Sequence, residues 1–150
     1  MEAIRATQAD YSREARLANY LQTRLPWVLT PTPKFYFTDY HINRKYDTGR
    51  ENYIGDLELK WLNTSSEMPA YFSYNKLQLM AAMPVYTDTP ESYHRVCFRF
   101  NDGILLVPAK ALMRFNEPTW FTRFDTGETD LVIKVNAKDY GKWLSTEVVE

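Results

Sequence analysis

Polar and apolar residues alternate most clearly in residues 53–62, YIGDLELKWL. Side chains of a strand point alternately to its two faces, so Asp56, Glu58 and Lys60 share one face while the apolar residues between them share the other. The pattern predicts a strand whose charged face is either solvated or arranged to hold a metal ion.

A different spacing marks the N-terminal segment. Apolar residues recur every three or four positions between Thr7 and Leu25, which predicts a helix capped by Thr7 or Ser12 and ended by Pro26. Glu14 falls on or beside the apolar side of this helix. An unpaired carboxylate is costly there, so a partner is expected, either a metal ion or a neighbouring arginine.

The rest of the pattern indicates strands separated by a second helix. Two or three strands are expected within residues 27–61, a helix between Ser73 as its cap and Pro84, a hairpin within residues 94–112, and a last strand near 129–136. The order predicts an α+β fold, with a mixed or antiparallel sheet covered by helices.

The turn at Asp47, Thr48 and Gly49 decides which residues face each other across the predicted hairpin. A loop with an even number of residues places Asp39 opposite Glu58 and His41 opposite Asp56, whereas a three-residue loop with a bulge slips the register by one. Opposed residues have Cβ atoms about 5 Å apart, close enough for two carboxylates to share a divalent cation. Asp47 is a second choice for the carboxylate partner, although it lies far along the hairpin.

Length and composition exclude several classes of protein. A chain of 150 residues fits one domain spanning 1–150, and 18 Lys and Arg against 19 Asp and Glu give no strong attraction to nucleic acid as a whole. One cysteine and two histidines cannot form a structural zinc cluster. No segment has the roughly 18 apolar residues that span a bilayer. We therefore expect a cytoplasmic protein without a membrane partner.

The ordered set of Glu14, Asp39, Glu58 and Lys60 resembles the PD-(D/E)XK, or restriction-endonuclease-like, nuclease superfamily. The resemblance covers roughly residues 10–108 and implies an αβββαβ core with extra C-terminal strands. It also implies that the three carboxylates bind Mg²⁺ or Mn²⁺, that the lysine positions or activates the attacking water, and that DNA phosphodiester bonds are hydrolysed.

Further residues enter through the same resemblance. Lys76 and Gln78, on the second helix, are expected to project towards the site. Asp56, paired with His41, is either an extra carboxylate in the outer shell of the metal or a residue of a solvated strand end. The sequence departs from the family pattern because Asp39 follows a threonine and not a proline, and because Asp56 stands where an apolar residue is common.

Other interpretations of these residues remain open. The chain could be a catalytically inactive nuclease-fold module that binds nucleic acid or a protein, or an unrelated α+β protein whose strand charges face solvent. Homodimers are common in the family. Other reactive or charged side chains have structural interpretations. His94 and Cys97 are typical of core or sheet positions. Arg95 and Arg99, on one face of their strand, are typical of a solvated face, with phosphate contact as the alternative.

Overall fold

The computed structural model describes residues 8–85 and 89–150, and of residues 8–10 the backbone alone. The predicted cap Thr7 therefore lies outside the described residues. The first helix, α1, spans Gln8–Arg24, close to the predicted bounds.

The inner side of α1 is built from the apolar spacing seen in the sequence. Leu17, Ala18 and Leu21 are buried. Glu14 precedes them by one turn on the same side and is half-buried. The expectation that Glu14 lies at the core-facing side of α1 is confirmed.

Nine strands and two further helices lie in the described residues. In chain order these elements are β1 (Trp27–Pro31), β2 (Tyr40–Lys45), β3 (Glu51–Trp61), β4 (Ala70–Ser73), α2 (Tyr74–Ala82), β5 (Arg95–Phe100), β6 (Gly103–Pro108), α3 (Ala109–Phe115), β7 (Thr119–Thr122), β8 (Thr129–Val135) and β9 (Leu144–Ser145), with a 3₁₀-helical segment at Ala137–Trp143 before β9.

The larger sheet has six strands in the order β1-β2-β3-β5-β6-β9, and the smaller has three in the order β4-β8-β7. The pair β3 and β5 is parallel, whereas every other neighbouring pair is antiparallel. The predicted α+β class with a mixed sheet and covering helices is confirmed. Elements β4, β7 and α3 were not predicted.

Two apolar cores lie on the two faces of the larger sheet. One core packs α1 against Leu57, Leu59 and Cys97. The other joins α2, α3 and the smaller sheet to Val96 and Phe98. Every charged residue on β3 or β5 must therefore face one of these cores or an edge of the sheet.

The β2–β3 hairpin reaches the predicted pairing by an unexpected route. Its turn is tight: Tyr46 N donates to Arg50 O at 2.9 Å, and Gly49 has a φ of 87°. This odd loop would have slipped the register. The pairing shifts back between Ile42 and Asn43, because Ile54 is an extra residue on β3.

Gly55 follows the extra residue and makes this bulge possible. Its φ of 135° is accessible almost only to glycine, and a Cβ there would lie 2.3 Å from the carbonyl oxygen of Tyr93. Beyond the bulge, His41 lies opposite Asp56 as predicted, although the even loop from which that pairing was predicted was wrong.

Candidate functional site

The charged face of β3 is buried and not solvated. Asp56 is 0% exposed and Glu58 4% exposed, and Glu58 and Lys60 lie beside Val96 and Phe98 on the face towards α2. Lys60 is half-buried, with its Nζ 5.8 Å from the centre of the Phe72 ring. The interpretation of Glu58 as a solvent-facing strand charge is therefore wrong.

Asp39 immediately precedes β2 and lies beside Glu58 of β3. The regular ladder ends at Tyr40 and Leu57, one step short of the predicted Asp39–Glu58 pair. Instead, Asp39 N donates to Leu57 O at 3.1 Å, and Asp39 Oδ2 accepts from Leu59 N at 2.7 Å. Asp39 thus bonds the residues on both sides of Glu58.

Glu58 has an incomplete set of partners. Lys76 Nζ donates to its Oε2 at 2.7 Å, whereas its buried Oε1 has no hydrogen-bond partner. Burial, and then the negative charge of Asp39, raise the pKa of Glu58 to about 8, against the opposing effect of Lys76 and Lys60. The carboxyl group is therefore partly protonated near neutral pH, and a cation at Oε1 would favour its ionised form.

Of the two polar residues predicted to project from α2 towards the site, only Lys76 contacts Glu58. Ser73 caps the helix by accepting from Lys76 N at 3.2 Å, as the sequence predicts, so Lys76 lies in the first turn over Glu58. Gln78 is exposed, and two residues from Lys76 it lies about 200° around the helix. The structure gives Gln78 no position beside Glu58.

Glu14 lies on α1, which packs on the face of the sheet opposite to Glu58. Burial raises the pKa of Tyr40, and the charges of Glu14 and then Asp39 raise it further, so both carboxylates lie near the Tyr40 hydroxyl. Asp47, the second choice for the carboxylate beside Glu58, is exposed in the hairpin loop at the other end of β2.

Asp56 is the centre of a closed hydrogen-bond network. Its Oδ1 accepts from His41 Nδ1 at 2.7 Å and from the Tyr53 hydroxyl at 2.6 Å, and its Oδ2 accepts from Thr38 Oγ1 at 3.0 Å. Its backbone N donates to His94 Nδ1 at 2.8 Å. Both carboxylate oxygens are thus engaged by protein donors.

Tyr53 could not be predicted as a partner of Asp56. Strict alternation places residues three apart on opposite faces, but the extra Ile54 turns Tyr53 to the face of Asp56. Burial, and then the hydrogen bond to Asp56, raise the pKa of Tyr53. The signal that could have revealed it is the glycine at position 55, which is typical of a bulge within a strand.

His94 and Cys97 have structural roles. His94 is buried, its Nε2 bonds the carbonyl oxygen of Met83 at 3.0 Å, and burial lowers its pKa. Cys97 lies in the core under α1, and complete burial raises the pKa of its thiol to about 12, so it is no nucleophile.

The donor set at Glu58 is small. Among residues 8–85 and 89–150, no group of three or more His, Cys, Asp or Glu side chains is arranged to hold a metal ion. Asp39 and Glu58 supply two adjacent carboxylates, and Mg²⁺ is commonly held by one or two carboxylates together with water and substrate phosphate. The two residues, with the unpartnered Oε1 of Glu58, fit such an ion.

No protein-family model, curated protein or solved structure matches this chain. Within the part of the chain that the structure describes, no helix is both long and apolar enough to span a membrane.

Proposed function

We propose that this chain is a metal-dependent nuclease with a restriction-endonuclease-like core, acting on DNA. The order of its elements supports that core: α1, three strands, α2 and then β5, which returns parallel to β3. Strand β4 is inserted before α2, and the elements after β5 are additions.

The observation that carries the proposal is the state of Glu58. A buried carboxylate with one unpartnered oxygen, a neighbouring carboxylate and a strongly raised pKa is destabilising in the absence of a ligand. Such groups are concentrated at functional sites. Asp39 and Glu58 would hold Mg²⁺, whereas Glu14, the third carboxylate that the resemblance implies, lies on α1 at the opposite face of the sheet.

The residues around Glu58 suit phosphodiester hydrolysis. Lys76 and Lys60 bring two positive charges to the site, where they would bind the phosphate and stabilise the negative charge that develops on it. A bound Mg²⁺ would polarise the phosphoryl oxygen and lower the pKa of a coordinated water. Asp39 and Glu58 would hold that ion beside β3.

An exposed aromatic segment directly precedes Asp39 in the chain. Phe35 is 73% exposed and has a φ of 69°, a strained conformation for a bulky residue. Tyr36 beside it is also exposed, and its ring contacts that of His41. Exposed rings offer stacking surfaces to unpaired bases, which favours a substrate with single-stranded or distorted regions.

The test is a cleavage assay with plasmid, linear, single-stranded and branched DNA in Mg²⁺ or Mn²⁺. We expect cleavage by the unchanged protein and its loss in Asp39→Asn and Lys60→Met. Matched controls are Glu51→Gln, an exposed carboxylate at the start of β3, and Lys134→Met, an exposed lysine on β8.

Two results would contradict the proposal. One is cleavage that survives both Asp39→Asn and Lys60→Met, which would locate the activity elsewhere or in a contaminant. The other is the absence of cleavage for every DNA form together with no effect of Mn²⁺ on the melting temperature.

The second candidate function is a non-catalytic module that binds nucleic acid or a protein. The ion pair between Lys76 and Glu58 favours it, because that lysine satisfies an oxygen that a metal ion would otherwise use. Such a module would show DNA binding without cleavage, and its melting temperature would not respond to Mn²⁺ in the unchanged protein or in Asp39→Ala.

A further inference from the structure

A second chemically competent pair lies on the same face of β3, two residues from Glu58. His41 faces Asp56 across the β2–β3 ladder, while Asp39 bonds the residues on either side of Glu58. Residues two apart on one face of a strand are about 7 Å apart, so the pair His41 and Asp56 neighbours the pair Asp39 and Glu58 on this face of the sheet.

The imidazole of His41 is held in one tautomer. A carboxylate only accepts hydrogen bonds, so the 2.7 Å contact with Asp56 Oδ1 fixes the proton of neutral His41 on Nδ1. Asp56 cannot turn away, because it is 0% exposed and also accepts from Tyr53 and Thr38. Nε2 then carries the lone pair.

The Nε2 atom of His41 is free for chemistry. In the described residues it has no hydrogen-bond partner, and the side chain is 35% exposed. The rings of Tyr36 and Tyr53 meet the imidazole edge to face, with centres 5.5 and 5.9 Å away. These contacts hold the ring on two sides while leaving it open to solvent.

His94 provides an internal contrast. Its Nδ1 accepts the backbone N–H of Asp56, so its proton lies on Nε2, which donates to Met83 O. Both of its ring nitrogens are occupied and the residue is buried. The two histidines thus touch the same aspartate in opposite tautomers, and His41 is the one with an open nitrogen.

We propose that His41 is the general base of the hydrolysis, with Asp56 as its positioning residue, and this inference rests on the proposed nuclease function. The attacking water forms its bond to phosphorus as the bond from phosphorus to the leaving oxygen breaks, and that electron pair stays on the leaving oxygen. The proton of the water passes to Nε2 of His41, which returns it to solvent. The leaving oxygen takes a proton from solvent.

The two neighbouring pairs then have different roles. Asp39, Glu58 and the two lysines bind the phosphate and its charge, whereas His41 removes the proton. In this assignment the pair of His41 and Asp56 is a catalytic group supported by a buried carboxylate, as in other enzymes where an aspartate fixes a histidine tautomer.

The first test reads the tautomers by nitrogen NMR of the metal-free protein, at a pH where both imidazoles are neutral. We expect His41 protonated on Nδ1 and His94 on Nε2. Protonation of His41 on Nε2 would overturn the assignment whether or not the protein is a nuclease.

The second test measures kcat and KM for DNA cleavage in Mg²⁺. His41→Asn keeps a donor towards Asp56 but removes the base, so kcat should fall about 10²-fold or more with little change in KM. In His41→Ala, added imidazole should restore part of kcat, and it should restore none in Lys60→Met. Asp56→Asn should lower kcat and leave KM unchanged.

The outcomes separate this inference from the proposed function. Cleavage that depends on Asp39 and Lys60 but is unchanged in His41→Asn overturns the role of His41 alone. The absence of imidazole rescue in a folded, inactive His41→Ala also overturns it. If the unchanged protein cleaves no DNA, the proposed nuclease function and the base role fail together.

Discussion

Strands β3 and β5 are neighbours and both bury charged residues, but the partners of those charges differ. On β5, Arg99 donates to Val149 O at 2.7 Å, to Leu62 O at 3.0 Å and to Asn101 Oδ1 at 3.0 Å, and it lies 4.1 Å from the centre of the Trp61 ring.

Arg95 is satisfied in the same manner. It donates to Tyr93 O and Glu91 O at 2.7 and 2.8 Å, and its guanidinium stacks on the rings of Tyr93 and Trp27. On β3, by contrast, Glu58 has one lysine partner and one unpartnered oxygen.

The difference teaches how to separate structural from functional charges in a sheet. The arginines use carbonyl oxygens and rings that the fold itself supplies, so their burial stabilises the chain ends and loops they contact. Glu58 leaves part of its hydrogen-bonding capacity unused, and buried groups in this state are concentrated at functional sites.

The largest effect is expected for Glu58→Gln. This substitution should lower metal-dependent cleavage on the order of 10³-fold, because it removes the carboxylate that a cation requires, while the fold is retained. Cleavage rate and urea unfolding of the same preparation measure both effects. An active Glu58→Gln protein would contradict the role of β3, and Glu51→Gln serves as the exposed control on the same strand.

The converse is expected for Arg99→Met. Three acceptors lose their charged donor, so the free energy of unfolding should fall by about 3 kcal/mol, whereas kcat per folded molecule should not change. Urea unfolding and active-site-normalised kinetics measure this. A stable variant would show that the carbonyl contacts of Arg99 contribute little, and a stable but inactive one would make β5 part of the catalytic site.

A smaller effect is expected from pH. The pKa of Glu58 rises from 4.5 in the unfolded chain to about 8 in the folded one, so its contribution to stability is complete below pH 4.5 and is lost as pH rises through about 8. The metal-free protein should therefore become progressively less stable as pH rises across that window. Glu58→Gln should show a flatter profile; an identical slope would remove Glu58 as its source.

The sequence predicted the elements near the candidate site better than it predicted their chemistry. Helical spacing located α1 and the Ser73 cap of α2, because both patterns are local. The pairing of His41 with Asp56 was predicted from an even loop, whereas an odd loop and the bulge at Ile54 produce it together. Two deviations that cancel cannot be seen in an alternating pattern.

Burial was the property that alternation could not predict. Arg95 and Arg99 were expected on a solvated face, and that expectation was wrong. The ring of Trp27 covers Arg95, and the segment around Val149 and the ring of Trp61 cover Arg99. These partners lie far away in sequence. The network of Asp56 was likewise hidden, since Thr38 reaches it through tertiary structure and Tyr53 through the bulge at Ile54.

The smallest effect is expected at Ser73, which caps the helix that carries Lys76. Ser73→Ala removes the side-chain acceptor of Lys76 N and should lower the free energy of unfolding by about 1 kcal/mol. Because Lys76 lies in the uncapped turn, its hold on Glu58 should loosen and KM for DNA should rise slightly. Ser12→Ala, on the exposed side within α1, is the matched control, and alanine there should cost no stability. Equal unfolding energies for the two variants would mean that the cap does not fix the turn carrying Lys76.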